Sequence, residues 1–158
     1  MKNKLCNVLI TSGGGYQGLA IIKGLRESAK IRIILTDIYQ ENTSKYLCDK
    51  FIRSPPVKDA SVYIEFLLNI CLNDHVDIII PATEYELLTL AARRELFLSH
   101  NIYIATSEYN ALLLFCDKKN STQLFQDNQV NVLPLIDPLN HNYKFPLFAK
   151  TRKGWGSK

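Results

Sequence analysis

Continuously apolar runs alternate along this chain with stretches whose apolar residues recur at helical spacing. Leu5–Thr11 (LCNVLIT) is rich in branched residues and predicts a buried strand. Tyr16–Ala29 follows, with Leu19, Ile22 and Leu25 on one helical face. Ile31–Thr36 predicts a second strand that ends at Asp37, and Phe51–Arg53 a short third one closed by Pro55-Pro56. Asp59–Asn73 reads as a helix capped by Asp59, with Ile64, Leu67, Leu68 and Cys71 at helical spacing. Val76–Ile80 predicts a fourth strand that stops at Pro81, Glu84–Ser99 a helix, and Ile102–Ala105 a fifth strand. Ser107 caps the next predicted helix, and Lys118–Gln126 forms another. The rhythm then breaks. Asp137–Asn142 is a loop of turn formers, and Lys144–Lys150 (KFPLFAK) predicts a strand that belongs to a new unit.

Strands that are apolar throughout and alternate with helices imply a parallel sheet covered on both faces. The predicted fold class is therefore α/β, a Rossmann-like doubly wound parallel sheet. Residues 1–137 form this domain, and 138–158 hold only the first strand of a second one. The length of 158 residues suits one domain of ordinary size, and 47% hydrophobic against 22% charged residues excludes a disordered chain.

Charge sharpens the division. The net charge is +4, from nineteen Lys and Arg against fifteen Asp and Glu. Five of the cations (Lys144, Lys150, Arg152, Lys153 and Lys158) follow the last acidic residue, Asp137, so residues 1–137 carry 14 cations and 15 anions, a net of −1. Either the end is a solvated basic tail or something anionic belongs there. Five cations beside one Trp are too few to argue for nucleic acid. The uncharged stretch Asn7 to Ile22 is interrupted by four glycines and is no membrane span. Cys6, Cys48, Cys71 and Cys116 lie far apart and read as small buried hydrophobes in a reducing compartment, which points to the cytoplasm.

Four places carry candidate chemistry. Gly13, Gly15 and Gly18 satisfy GxGxxG between a strand and a helix, where free helix N–H groups form an anion site. Asp37 ends the second strand, where a ribose-binding acid would sit, so these residues by themselves suggest NAD. A tight strand-to-helix turn with no ligand fits them too. Glu84 and Glu86 leave the carboxyl end of the fourth strand and point toward the same rim, where they could hold an amine or a hydroxyl. They read equally as first-turn acids favoured by the helix dipole. Asp117-Lys118 fits a helix cap followed by an exposed lysine. Finally, Phe145–Lys150 followed by Thr151-Arg-Lys-Gly-Trp-Gly-Ser157 joins an apolar strand ending in lysine to a loop of glycine, serine and cations. Such a loop offers N–H groups, hydroxyls and charge to a polyphosphate.

Six segments in order, VLITSGGGYQG, ILTD, DIIIPATEYELLTLA, NIYIATSEYNALLLFCDKKNSTQLFQ, NVLP and FPLFAKTRKGWGS, resemble the N-terminal part of an ATP-grasp protein. The resemblance is to the carbamoyl-phosphate-synthase-like carboxylate–amine ligases, and it covers nearly the whole chain. It implies a preATP-grasp domain followed by the opening strand and glycine loop of an incomplete ATP-grasp domain. It implies that Lys118, Lys150 and the loop residues Gly154, Gly156 and Ser157 lie at ATP. It turns the first glycine loop toward the acceptor substrate rather than NAD, so Gly14, Gly15, Gln17 and Glu84 become the substrate-facing residues.

The family reaction transfers a phosphoryl group from ATP to a carboxylate, and an amine attacks the resulting acyl phosphate. The Mg-binding acids and the adenine pocket would lie beyond Ser157, so no residue of this chain is assigned a catalytic or metal-binding part. The resemblance therefore implies the N-terminal portion of an ATP-dependent ligase, inactive by itself. Its partners would be ATP, a small carboxylate and the missing ATP-grasp half, supplied in cis or in trans. Dimers are common in the family, so a homodimer is among the assemblies it allows. Two other readings stay open: an NAD-binding Rossmann oxidoreductase or sensor, and a non-catalytic binding or assembly module.

Overall fold

Five strands of the computed structural model form one sheet in the order β3-β2-β1-β4-β5, and every neighbouring pair is parallel. The structure describes residues 5–28, 30–136, 139, 144–149 and 151–154. The strands are β1 (Cys6–Thr11), β2 (Ile31–Asp37), β3 (Lys50–Arg53), β4 (Ile78–Pro81) and β5 (Tyr103–Ile104). The helices are α1 (Tyr16–Arg26), α2 (Ala60–Asn73), α3 (Glu84–Ala91), α4 (Arg94–Leu98), α5 (Tyr109–Phe115) and α6 (Lys118–Asp127). This is the α/β, Rossmann-like parallel sheet that the alternation predicts.

Side chains of a strand alternate between faces, so a strand covered on both sides must be apolar at every position. Val8, Ile10, Ile33 and Leu35 pack with Ile22 of α1 on one side, joined by Ile21 and Leu25. Leu9, Ile34, Ile79 and Ile104 pack on the other with Tyr63, Ile64 and Leu67 of α2, Leu90 of α3 and Phe97 of α4. The register sets Leu9 beside Ile34 and Ile79, which keeps each layer continuous across the sheet. Asp59 caps α2 by accepting the Val62 N–H at 3.2 Å.

Several boundaries differ from the sequence expectation. The single helix expected over Glu84–Ser99 is two. Arg93 leaves helical geometry at φ −118°, and α4 then turns the fully buried Phe97 into the core. Arg94 fixes the new direction through the carbonyls of Thr106 (2.6 Å) and Ser107 (2.8 Å). β4 begins at Ile78 rather than Val76, because Asp77 turns its carboxylate to the Asn7 N–H at 2.9 Å. α5 begins at Tyr109, beyond the expected Ser107 cap. A 3₁₀ turn at Thr43–Tyr46, with Asn42 accepting the Lys45 N–H, was not expected at all. Residues 144–149 are in no strand. An apolar run needs a neighbour to become a ladder, and Lys150 lies outside the described residues.

By internal contacts the chain forms two compact units, Met1–Glu108 and Tyr109–Lys158. The first holds the sheet. No helix among the described residues is long and apolar enough to cross a membrane.

Candidate functional site

The strand order steps outward from β1 in both directions, to β2 and β3 on one side and to β4 and β5 on the other. The crevice at such a reversal lies between the carboxyl ends of β1 and β4. Three segments meet there: Ser12–Gly15 after β1, Asp37 at the end of β2, and Ala82–Glu86 after β4. The Ala82 N–H donates to the Thr11 carbonyl at 3.1 Å, and the Gly13 N–H to the Thr36 carbonyl at 3.0 Å.

Space rather than backbone freedom demands the glycines. A Cβ on Gly18 would lie 1.9 Å from the Gly13 carbonyl oxygen, so α1 could not approach the loop with any side chain there. A Cβ on Gly13 would lie 2.2 Å from Leu35 Cδ1. Gly14 is closed in by Asp37, whose Oδ2 accepts the Gly14 N–H at 2.7 Å. Gly15 is exposed, and it precedes α1 in an extended conformation without a side-chain cap. Gln17 is exposed on the first turn.

Asp37 has a different part from the one its position suggests. Its Oδ1 accepts the Tyr39 N–H at 2.9 Å while Oδ2 holds Gly14, and only 7% of the residue is exposed. The carboxylate that a dinucleotide ribose would use is thus occupied in fixing the glycine loop.

Glu84 and Glu86 also part company. Glu84, the first residue of α3, is half-buried at the rim. Glu86 is completely buried. Its Oε1 accepts the Thr83 N–H at 3.4 Å as part of a capping box. Its Oε2 accepts the Ser12 hydroxyl at 3.1 Å and, in a short bond, the Tyr63 hydroxyl of α2. Burial pushes the Glu86 carboxyl above its ordinary range, and the hydroxyls of Tyr63, Thr11 and Ser12 offset part of that. The same burial, with the Glu86 charge beside it, pushes the Tyr63 phenol up. The buried Thr11 hydroxyl lies against this pair without a partner at hydrogen-bond geometry. Sequence reasoning missed Ser12, Tyr63 and the buried role of Glu86. The Thr83-x-x-Glu86 spacing is a capping-box signature and could have separated the two acids.

The other candidate residues belong to the unit Tyr109–Lys158. Asp117 caps α6, accepting the Lys119 and Asn120 N–H groups at 3.1 and 3.2 Å. Arg152 Nε donates to both of its oxygens, at 2.9 and 2.8 Å. The guanidinium holds the Asp117 carboxyl down to about 2. The Lys118 N–H donates to the Arg152 carbonyl at 3.0 Å, and Lys118 Nζ donates to the Gly154 carbonyl. Lys118 and Gly154 are thereby brought together. Gly154 has φ 93°, a left-handed backbone that favours glycine. Lys150, Gly156 and Ser157 lie outside the described residues. Among the described residues there is no group of three or more His, Cys, Asp or Glu side chains that could hold a metal ion.

A five-stranded parallel sheet with a glycine loop at its crevice is the Rossmann-like α/β class of domain. Residues 8–105 match the family described as PylC-like, N-terminal domain, and the chain belongs to that family. No curated protein sequence matches it. Among solved structures, N5-carboxyaminoimidazole synthetase from Staphylococcus aureus is 20% identical, with a TM-score of 0.58 over 83% of this chain and 32% of that one. Biotin carboxylase from Campylobacter jejuni, in complex with β,γ-ATP, is 19% identical, with a TM-score of 0.59 over 84% and 30%. The biotin carboxylase domain of Hydrogenobacter thermophilus 2-oxoglutarate carboxylase, in complex with MgADP, ADP and bicarbonate, is 16% identical, with a TM-score of 0.57 over 83% and 29%. These likenesses are of fold. The chain spans about a third or less of the length of those proteins.

Proposed function

We propose that this chain is the N-terminal portion of an ATP-dependent carboxylate–amine ligase that works through an acyl phosphate, and that it has no ligase activity by itself. The observation that carries the reading is the family match over residues 8–105. On this reading residues 1–137 are the preATP-grasp domain and 138–158 the start of the ATP-grasp domain. The compact unit that begins at Tyr109 then holds the last helices of the first and the opening of the second.

Gly14, Gly15, Gln17 and Glu84 would face the acceptor substrate, a small carboxylate. A half-buried acid at the rim suits an amine or hydroxyl on that molecule. Lys118, Lys150, Gly154, Gly156 and Ser157 would meet ATP, the lysines as point charges on phosphate oxygens and the loop through its N–H groups and hydroxyl. The link between Lys118 and Gly154 supports this, because it keeps a cation beside the loop. ATP with magnesium supplies the phosphoryl group and the neutralising charge, and acidic ligands for magnesium would come from the missing half, in cis or in trans. A cytoplasmic location and a homodimer are consistent with the family. The occupied Asp37 carboxylate weighs against NAD.

Calorimetry on the purified chain tests the reading. Weak or undetectable binding of ATP–Mg with no NAD binding is expected. Submillimolar NAD binding without ATP binding would overturn it. Formation of an acyl phosphate or amide by the chain alone would overturn the inactivity.

A further inference from the structure

The one described loop residue after β1 with a left-handed backbone is not a glycine. Ser12 has φ 48°, whereas Gly13, Gly14 and Gly15 have no positive φ. Glycine would take this conformation without steric cost, and serine does not. What serine supplies is a hydroxyl, and that hydroxyl donates to the buried Glu86 at 3.1 Å. The oxygen that accepts it also accepts the Tyr63 hydroxyl from α2, while the other oxygen accepts the Thr83 N–H ahead of α3. One carboxylate therefore joins the glycine loop, α2 and the start of α3. Two of these carry residues assigned above to the substrate, Gly14 and Gly15 in the loop, with Gln17 next to it in α1, on one side and Glu84 on the other.

We propose that Glu86 is a positioning residue that locks the Ser12–Gly15 loop to the start of α3 across the β1–β4 crevice, so that both sides of the substrate rim are held in one arrangement. The claim that the rim binds substrate rests on the proposed function, but the lock does not. Glu86 touches no ligand on this view. It acts through Ser12 and Thr83, and the left-handed backbone at Ser12 comes with a hydroxyl that glycine could not supply.

The test uses the full chain labelled for amide NMR, with three variants. Glu86→Gln weakens the acceptor, Ser12→Gly removes the hydroxyl while relieving the backbone, and Asp49→Asn is the control. Asp49 accepts the Ile33 N–H at 2.7 Å at the other end of the sheet. In Ser12→Gly and Glu86→Gln, the amides of Gly13, Gly14 and Gly15 are expected to shift and to exchange about fivefold faster. Combining the two should add little to either alone, because both cut one link. Asp49→Asn should lower overall stability and leave those amides in place. Unmoved loop amides in Ser12→Gly would overturn the proposal, and so would an equal disturbance by Asp49→Asn. If Glu86→Gln does not fold, Ser12→Gly decides alone. No ligand enters this readout, so failure of the lock is distinguishable from failure of the substrate reading. The latter would show as no response of the Gly14, Gly15 and Glu84 amides to small amino-bearing carboxylates.

Discussion

At the amino end of the sheet, Asp74 and Asp49 meet cations. Asp74 lies 2.9 Å from Arg32 and 2.7 Å from Lys50, and Asp49 lies 3.0 Å from Arg26. At the carboxyl end, Asp37 and Glu86 are met instead by main-chain N–H groups and hydroxyls. Ion pairs that reach solvent are tolerant of geometry and weakened by salt. Neutral donors around a buried carboxylate have no such latitude, because each one left unmatched keeps its full desolvation cost. The amino end is fastened, and the carboxyl end is shaped.

Titration should separate the ends most plainly. Burial raises the Glu86 carboxyl above its ordinary value of 4.5. Its contribution to stability is therefore complete below that value and is lost as pH rises through the raised one. Burial acts the same way on Asp74 and Asp49, but Lys50 and Arg32, and Arg26 with the Ile33 N–H, more than reverse it and leave both carboxyls below 3.8. Their contributions are present above 3.8 and are lost as pH falls through the lowered values.

The largest expected effect is at the rim. Gly18→Val places side-chain atoms against the Gly13 carbonyl and should destabilise the chain by about 3 kcal/mol in urea titrations. Glu86→Ala strands the Ser12 and Tyr63 hydroxyls and should cost about 2 kcal/mol. Asp74→Ala at the other end should cost about 1 kcal/mol, less in high salt. A larger loss from Asp74→Ala than from Glu86→Ala would reverse the contrast. In pH series of the urea midpoint, the gap between Glu86→Gln and the unmodified chain should move in favour of the variant from pH 4.5 upward. Asp74→Asn should instead flatten the loss below pH 3.8. The smallest effect belongs to the second unit. Asp117→Ala removes the cap and the carboxylate that Arg152 holds at about 2, so the first turn of α6 should fray locally, seen as faster amide exchange at Lys119 and Asn120 with the sheet untouched.

The sheet was legible because Val8, Leu9 and Ile10 are apolar on successive positions, as a strand buried on both faces requires. The glycine loop was legible from its place between a strand and a helix. What it does was less so. Asp37 sits where a ribose acid would, and only the fold shows its oxygens taken up by Gly14 and Tyr39. The break at Arg93 depends on carbonyls at Thr106 and Ser107, which helical periodicity over 84–99 cannot register. The same limit applies to residues 144–149, where an apolar run says nothing about the presence of a neighbouring strand.

The outermost strands of the sheet are short, four residues in β3 and two in β5. β3 places exposed Lys50 and Arg53 at its ends. A neighbouring molecule that tried to extend the sheet would find few open hydrogen-bonding groups and, on the β3 side, positive charge. Association by strand addition, the route to amyloid-like aggregates, is thereby discouraged, and a chain with so apolar a sheet can be crowded without zipping onto its copies.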